Sequence, residues 1–168
     1  MTFQRKHFTE QEVAEYRDRS LNGPCFVCSI INRTSDYQHH IIFENEDAIA
    51  FLNRAQSLYG YVLVAPKQHR EHVVSDFTLD EYLALQRVIL AIGHAVQRAV
   101  PTERLYLLSI GSKQGNAHVH WHLAPLPPGV PYEHQQYYAL SHERGELEMS
   151  EPDKALLAAK IRAELHVE

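Results

Sequence analysis

Ala117-His118-Val119-His120-Trp121-His122-Leu123-Ala124 is the stretch from which the chain is best read. On a β-strand, side chains two residues apart share a face. These eight residues therefore predict a strand with His118, His120 and His122 along one face and Val119, Trp121 and Leu123 along the other. Burial of the apolar face sets the register and holds the imidazoles in a row about 7 Å apart, two residues at about 3.3 Å each. A single exposed histidine is ordinarily a solvated side chain. Three in strict alternation, directly after the glycine-containing polar loop at residues 111–116, point instead to a metal or catalytic site. Two chemistries fit that row: a tris-histidine zinc site, and a nucleophilic histidine between two orienting ones.

The surrounding pattern places this strand in an α+β chain. Ile41-Ile42-Phe43 and Ala48-Ile49-Ala50-Phe51-Leu52 are short apolar runs separated by residues 44–47, which predicts an antiparallel hairpin. Tyr61-Val62-Leu63-Val64-Ala65 is a third strand closed by Pro66, and residues 104–110 are a fourth. The histidine strand is the fifth, stopped by Pro125, Pro127 and Pro128. Thr78-Leu79-Asp80-Glu81 is a capping box opening a long helix, with Leu85, Ile89, Ile92 and Val96 on one face. Thr9-Glu10-Gln11-Glu12 is a second box, with Phe8 and Val13 as its staple, for a helix ending near Asn22-Gly23-Pro24. Ser150 caps a last helix with Leu157, Ile161 and Leu165 on one side. The fold class is α+β: a mainly antiparallel five-stranded sheet, one long helix and terminal helices. The domain organisation expected is a helical extension at 1–24, a core at 25–128, and a loop and helix at 129–168 that belong to the same domain.

Composition narrows the function. The chain has 168 residues, 45% apolar, with a net charge of −5 and no polybasic run. A large nucleic-acid footprint is not expected. No run of about 18 apolar residues marks a membrane span, and the N-terminus lacks the apolar segment of a signal peptide, so a cytoplasmic location is the expectation. The two cysteines, Cys25 and Cys28, stand on a turn at C-x-x-C spacing. In a reducing compartment that spacing suggests metal binding or redox work. His39, His40, His69, His72 and His118 are all available as further ligands.

His118-Val119-His120-Trp121-His122-Leu123-Ala124 resembles the motif of the histidine triad family, in which three histidines alternate with apolar residues. The resemblance runs from about Cys25 to Pro125. Phe51-Leu52-Asn53-Arg54, Gly60 and Val62-Leu63-Val64-Ala65-Pro66-Lys67-Gln68-His69 resemble the family's nucleoside-binding strand pair. Cys25-Phe26-Val27-Cys28 resembles the entry segment of its zinc-carrying members. The resemblance implies a homodimer that binds nucleotides and cleaves at an α-phosphate, on dinucleoside polyphosphates. His120 would be the nucleophile, His122 a donor to phosphate oxygens and His118 the first member of the triad. It implies a role for Asn53 at the nucleoside sugar and for Gln114 and Asn116 at the phosphates; Ile31, Phe43 and Leu52 are available to flank a base, with core packing the preferred reading for any one of them. It also implies a structural zinc on Cys25, Cys28, His69 and His118, and no organic cofactor. The short loop, with Gly115 where many relatives have Ser or Thr, departs from the family pattern. The alternatives are a nucleoside phosphoramidase and a non-enzymatic nucleotide-binding or zinc-binding module.

Overall fold

The computed structural model describes residues 3–113 and 115–166. Its centre is a five-stranded antiparallel sheet in the order β2-β3-β4-β6-β5, formed by Ile41–Glu44, Ala48–Leu52, Val62–Pro66, Trp121–Leu126 and Arg104–Ser109. The α+β expectation holds, and the hairpin is β2–β3. Its turn is closed by Asn45, whose Oδ1 accepts from the amides of Asp47 and Ala48 at 3.0 and 2.7 Å. That local bond is why Asn serves there.

Two layers of side chains sandwich the sheet. On one face, α3 (Leu79–Ala99) and α5 (Glu151–Ala163) bury Leu85, Ile89, Ile92, Val96, Leu157 and Ile161 against Ala50, Val62, Val64, Trp121 and Leu123. The other face carries Ile49, Phe51, Leu63, Ala65 and Ala124 beneath α2 (Phe26–Ile31) and α4 (Gln136–Leu140). The stripe on α3 is thus spent inside the monomer and needs no outside cover. Both expected boxes form, at Thr9 on α1 (Glu10–Asn22) and Thr78 on α3, and the Ser150 cap of α5 is a third box completed by Asp153. A small ladder pairs β1 (Arg5–Lys6) with β7 (Glu146–Leu147), which ties the N-terminal segment to the stretch just before α5.

Three local expectations are corrected. The histidine strand does not start at Ala117. Only Trp121–Leu126 joins the ladder, because β5 ends at Ser109 and the register with β4 reaches only as far as Trp121 opposite Val64. Upstream, Val119 N–H instead donates to Arg70 O at 2.7 Å. Pro125 lies inside β6, which runs to Leu126, because β4 begins at Val62 opposite Leu123 and asks nothing of the next residues on that side. Finally, the cysteines are not on a plain turn: Cys25 is the N-cap of α2, its Sγ accepting from Cys28 N–H at 3.5 Å.

Candidate functional site

The irregular segment before β6 is what shapes the site. Arg70 is 9% exposed and is gripped by Glu81, the residue that completes the α3 capping box. Through the Arg70 carbonyl the same anchor holds Val119. Val119, Trp121 and Leu123 still face the α3 side. The histidine face therefore turns toward α2, as alternation requires.

The three imidazoles have three different environments. His118 is 1% exposed. Its Nε2 donates to Pro66 O at 2.9 Å, which leaves the Nδ1 lone pair turned to Cys25 Sγ and Cys28 Sγ at 3.5 and 3.6 Å. His120 Nδ1 donates to His118 O at 2.7 Å, which leaves Nε2 as the basic nitrogen. Ser109 Oγ fixes the carbonyl of His120 at 2.8 Å, and Phe26 meets the ring edge-on at 5.2 Å. His122 Nδ1 lies 2.8 Å from Tyr61 Oη, and its Nε2 is shielded from solvent without a partner among the described residues. The rings of His120 and His122 are 4.8 Å apart, closer than the even row predicted, because each is pulled to its own hydrogen-bond partner. Burial lowers the pKa of all three, for His118 and His122 to about 4. For His120 the bond to the His118 carbonyl opposes that shift. All three rings are therefore neutral near pH 7.

Cys25, Cys28, His69 and His118 converge: one ligand atom from each lies within 4.8 Å of the others. Cys28 Sγ is 3.3 Å from His69 Nδ1. Around a tetrahedral ion with about 2.3 Å to sulfur and about 2.0 Å to nitrogen, neighbouring ligand atoms stand about 3.3–3.8 Å apart. The sulfur–nitrogen spacings match. The Pro66 carbonyl supplies the outer hydrogen bond that fixes a ligating histidine. These residues could hold a metal ion. Burial pushes the Cys28 thiol up to about 11, so metal binding would have to displace its proton. His120 and His122 join no such group among the described residues, which removes the geometric basis for a tris-histidine zinc. His39 and His40 are engaged by Ser35 and Glu151, and His72 is outside the cluster.

The remaining expected residues are spread more widely. Gln114 lies outside the described residues. Asn116 has a left-handed backbone (φ 54°) and donates to Tyr16 Oη of α1 at 3.0 Å. A Cβ on Gly115 would come within 2.6 Å of Ser20 O, so the close approach of α1 itself asks for glycine here. Asn53 lines a cavity of about 250 Å³ with Tyr37, His39, Leu52, Arg54 and Lys154, and the triad does not line it. The aromatic run His39, Phe51, Phe26 leads from that cavity to His120, with successive centroids 6.0, 6.5 and 5.2 Å apart. Ile31 packs with the α2-side core, but Phe43 and Leu52 pack with the α3-side core, so the three do not flank one base. Tyr61 went unsuspected in the sequence. Its signal was its place two residues before Leu63, on the sheet face the histidines share.

The model of the HIT domain matches residues 34–128, more than half of the chain. The chain belongs to the histidine triad family. A HIT-like protein of Mycoplasma genitalium is 30% identical over 114 residues, 66% of this chain and 77% of that one. The protein called hit from Bacillus subtilis is 30% identical over 61% of this chain and 70% of its own. Among solved structures, a hypothetical histidine triad nucleotide-binding protein from Sulfolobus tokodaii superposes with a TM-score of 0.66 at 28% identity, covering 83% of this chain and 91% of that one. A zinc-bound histidine triad family protein from Mycobacterium smegmatis shares the fold, with a TM-score of 0.64 at 22% identity and the same coverage of both chains.

Proposed function

We propose that this protein is a nucleotide-binding hydrolase or transferase that cleaves at an α-phosphate through a nucleotidyl group carried on His120, with dinucleoside polyphosphates as substrates. The observation that carries the reading is the 2.7 Å bond from His120 Nδ1 to the His118 carbonyl, which frees Nε2 as a neutral nucleophile. That lone pair forms a bond to the α-phosphorus. The bond from phosphorus to the bridging oxygen breaks, and its electron pair leaves with the remaining polyphosphate. Water then attacks the phosphorus, the phosphorus–nitrogen bond breaks, and the nucleoside monophosphate departs with His120 neutral again. His122 Nε2 donates to the phosphate oxygens as charge moves in the transition state. The nucleoside sugar lies at Asn53 and the polyphosphate toward Asn116, while the phosphate contact of Gln114 is proposed from the family resemblance alone. The nucleotide-binding description of the Sulfolobus relative supports this assignment.

Zinc on Cys25, Cys28, His69 and His118 would be structural. Four protein ligands leave no open position, so it takes no part in the reaction but ties α2 to the segment that carries His120. Both cysteines are free thiols, in keeping with a cytoplasmic setting. Among the described residues no helix is long and apolar enough to cross a membrane.

The reading is tested by an activity panel on the purified protein, with diadenosine polyphosphates and adenosine phosphoramidates side by side. Release of AMP from the polyphosphates is expected. Faster turnover of the phosphoramidates would move the protein to the phosphoramidase branch, and no turnover of either would leave a binding module.

The protein is also proposed to be a homodimer. β5 is an edge strand with Leu107 51% exposed, and α3 leaves Leu90 57% exposed outside its buried stripe. α3 and β5 are neighbours, since Gly93 lies close to Leu105. A two-fold axis beside this edge would cover both leucines twice and extend the sheet. Light scattering should give a mass near twice 19.4 kDa. Leu107→Asp should move it toward the monomer, and a wild-type mass of one chain would exclude the dimer.

A further inference from the structure

We propose that Tyr61 is a positioning residue that selects the tautomer of His122 and so makes its Nε2–H the donor facing the reacting phosphate. This rests on the role given to His122 above. Tyr61 is 4% exposed, and its hydroxyl lies 2.8 Å from His122 Nδ1, with no other partner among the described residues. Two arrangements satisfy that distance. If Nδ1 carried the proton, it would donate to the phenol oxygen. Two groups would then be left unpaired in a closed space: the phenol O–H and the Nε2 lone pair. If the phenol donates to Nδ1, only the Nε2–H is left over. Unpaired buried polar groups are costly, so the second arrangement is favoured. The single leftover group is then a donor, the type an anionic phosphate oxygen would satisfy. An unpartnered, shielded Nε2 is the feature otherwise unexplained.

The backbone that carries the phenol is itself firmly held. Gln56 is 1% exposed and spends its whole side chain on this corner. Its Nε2 donates to Tyr61 O at 2.8 Å and also to Asn53 O. Its Oε1 accepts from Gly60 and Tyr61 N–H at 3.0 and 3.1 Å. Gly60 has φ 90°, a conformation that favours glycine and lets the backbone fold around the amide. The order of dependence is Gln56, then Tyr61, then His122. Burial also raises the pKa of Tyr61, which keeps the phenol protonated and able to donate.

The test pairs kinetics with nitrogen NMR of ¹⁵N-histidine-labelled protein, in which the protonated and bare ring nitrogens of neutral imidazole are distinguished directly. Wild-type His122 is expected as the Nε2–H tautomer. Tyr61→Phe keeps the ring and removes the donor. It should lower kcat about 10- to 100-fold with KM within about twofold, less than or comparable to losing a preorganised donor outright. His122 in that variant should become a tautomer mixture. Three results would overturn the proposal: Nδ1–H in the wild type, an unchanged kcat in Tyr61→Phe, or a lower kcat with the tautomer unchanged. Should Tyr61→Phe fail to fold, the wild-type tautomer decides alone. The readout is independent of the enzyme reading. If His120→Ala remains active, the nucleophile assignment fails while the tautomer result stands.

Discussion

Replacing His120 by alanine is expected to lower turnover by at least about 10³-fold while nucleotide affinity stays within about tenfold. The size follows from the proposed chemistry, since without the imidazole no covalent intermediate can form and water must displace the polyphosphate directly. On the proposed reading binding should survive, because His120 would meet the nucleotide at one atom whereas the nucleoside would be held at Asn53. The fold should survive too, since Val119 and Trp121, not His120, fill the core on the α3 face. Initial rates and equilibrium titration with a non-hydrolysable analogue measure the two quantities separately. Retention of more than a tenth of wild-type activity would sink the nucleophile assignment. Mass spectrometry of acid-sensitive adducts would add a positive signature: a nucleotidyl group on the wild type after a quench, and none on His120→Ala.

The second large effect is metal loss. The purified protein should contain one zinc per chain, and Cys25→Ser or His69→Ala should lose it. A metal held about 1,000 times above its dissociation constant stabilises a fold by about 4 kcal/mol. At about 2–4 °C per kcal/mol for a chain of this size, chelation should lower Tm by roughly 10 °C. Activity should fall with it, since the zinc would link Cys25 and Cys28 of the α2 segment to His118, whose carbonyl orients His120. Elemental analysis and thermal melts with and without chelator decide this. A metal-free protein of undiminished activity and Tm would remove zinc from the account.

The legibility of this chain follows the range of the interactions involved. Capping boxes are local: Thr9, Thr78 and Ser150 each bond within three residues, so their helices could be read directly. Alternation is also local, and it separated Val119, Trp121 and Leu123 from the three histidines. The start of β6 is not legible in the sequence because strand length depends on neighbours: β5 stops at Ser109, and the pairing with β4 stops at Trp121 opposite Val64 although β4 itself runs on to Pro66. The ring spacing was misjudged for a similar reason. It depends on carbonyls at Pro66 and His118 and on the Tyr61 phenol, none of which a periodicity can locate.

By itself, then, the sequence determined the family, the α+β architecture and the identity of the three histidines, because those rest on residue type and short spacing. Only the tertiary structure decided which nitrogen of His118 is free and which nitrogen of His122 meets Tyr61. That choice is made by hydrogen bonds spanning 52 residues from His118 to Pro66 and 61 from His122 to Tyr61. It likewise drew Cys25 and Cys28 together with His69 and His118, and brought α1 against Gly115. Residue type sets what a side chain can do, but its partner sets which of its atoms remains to do it, and partners distant in sequence meet only when the sheet has closed.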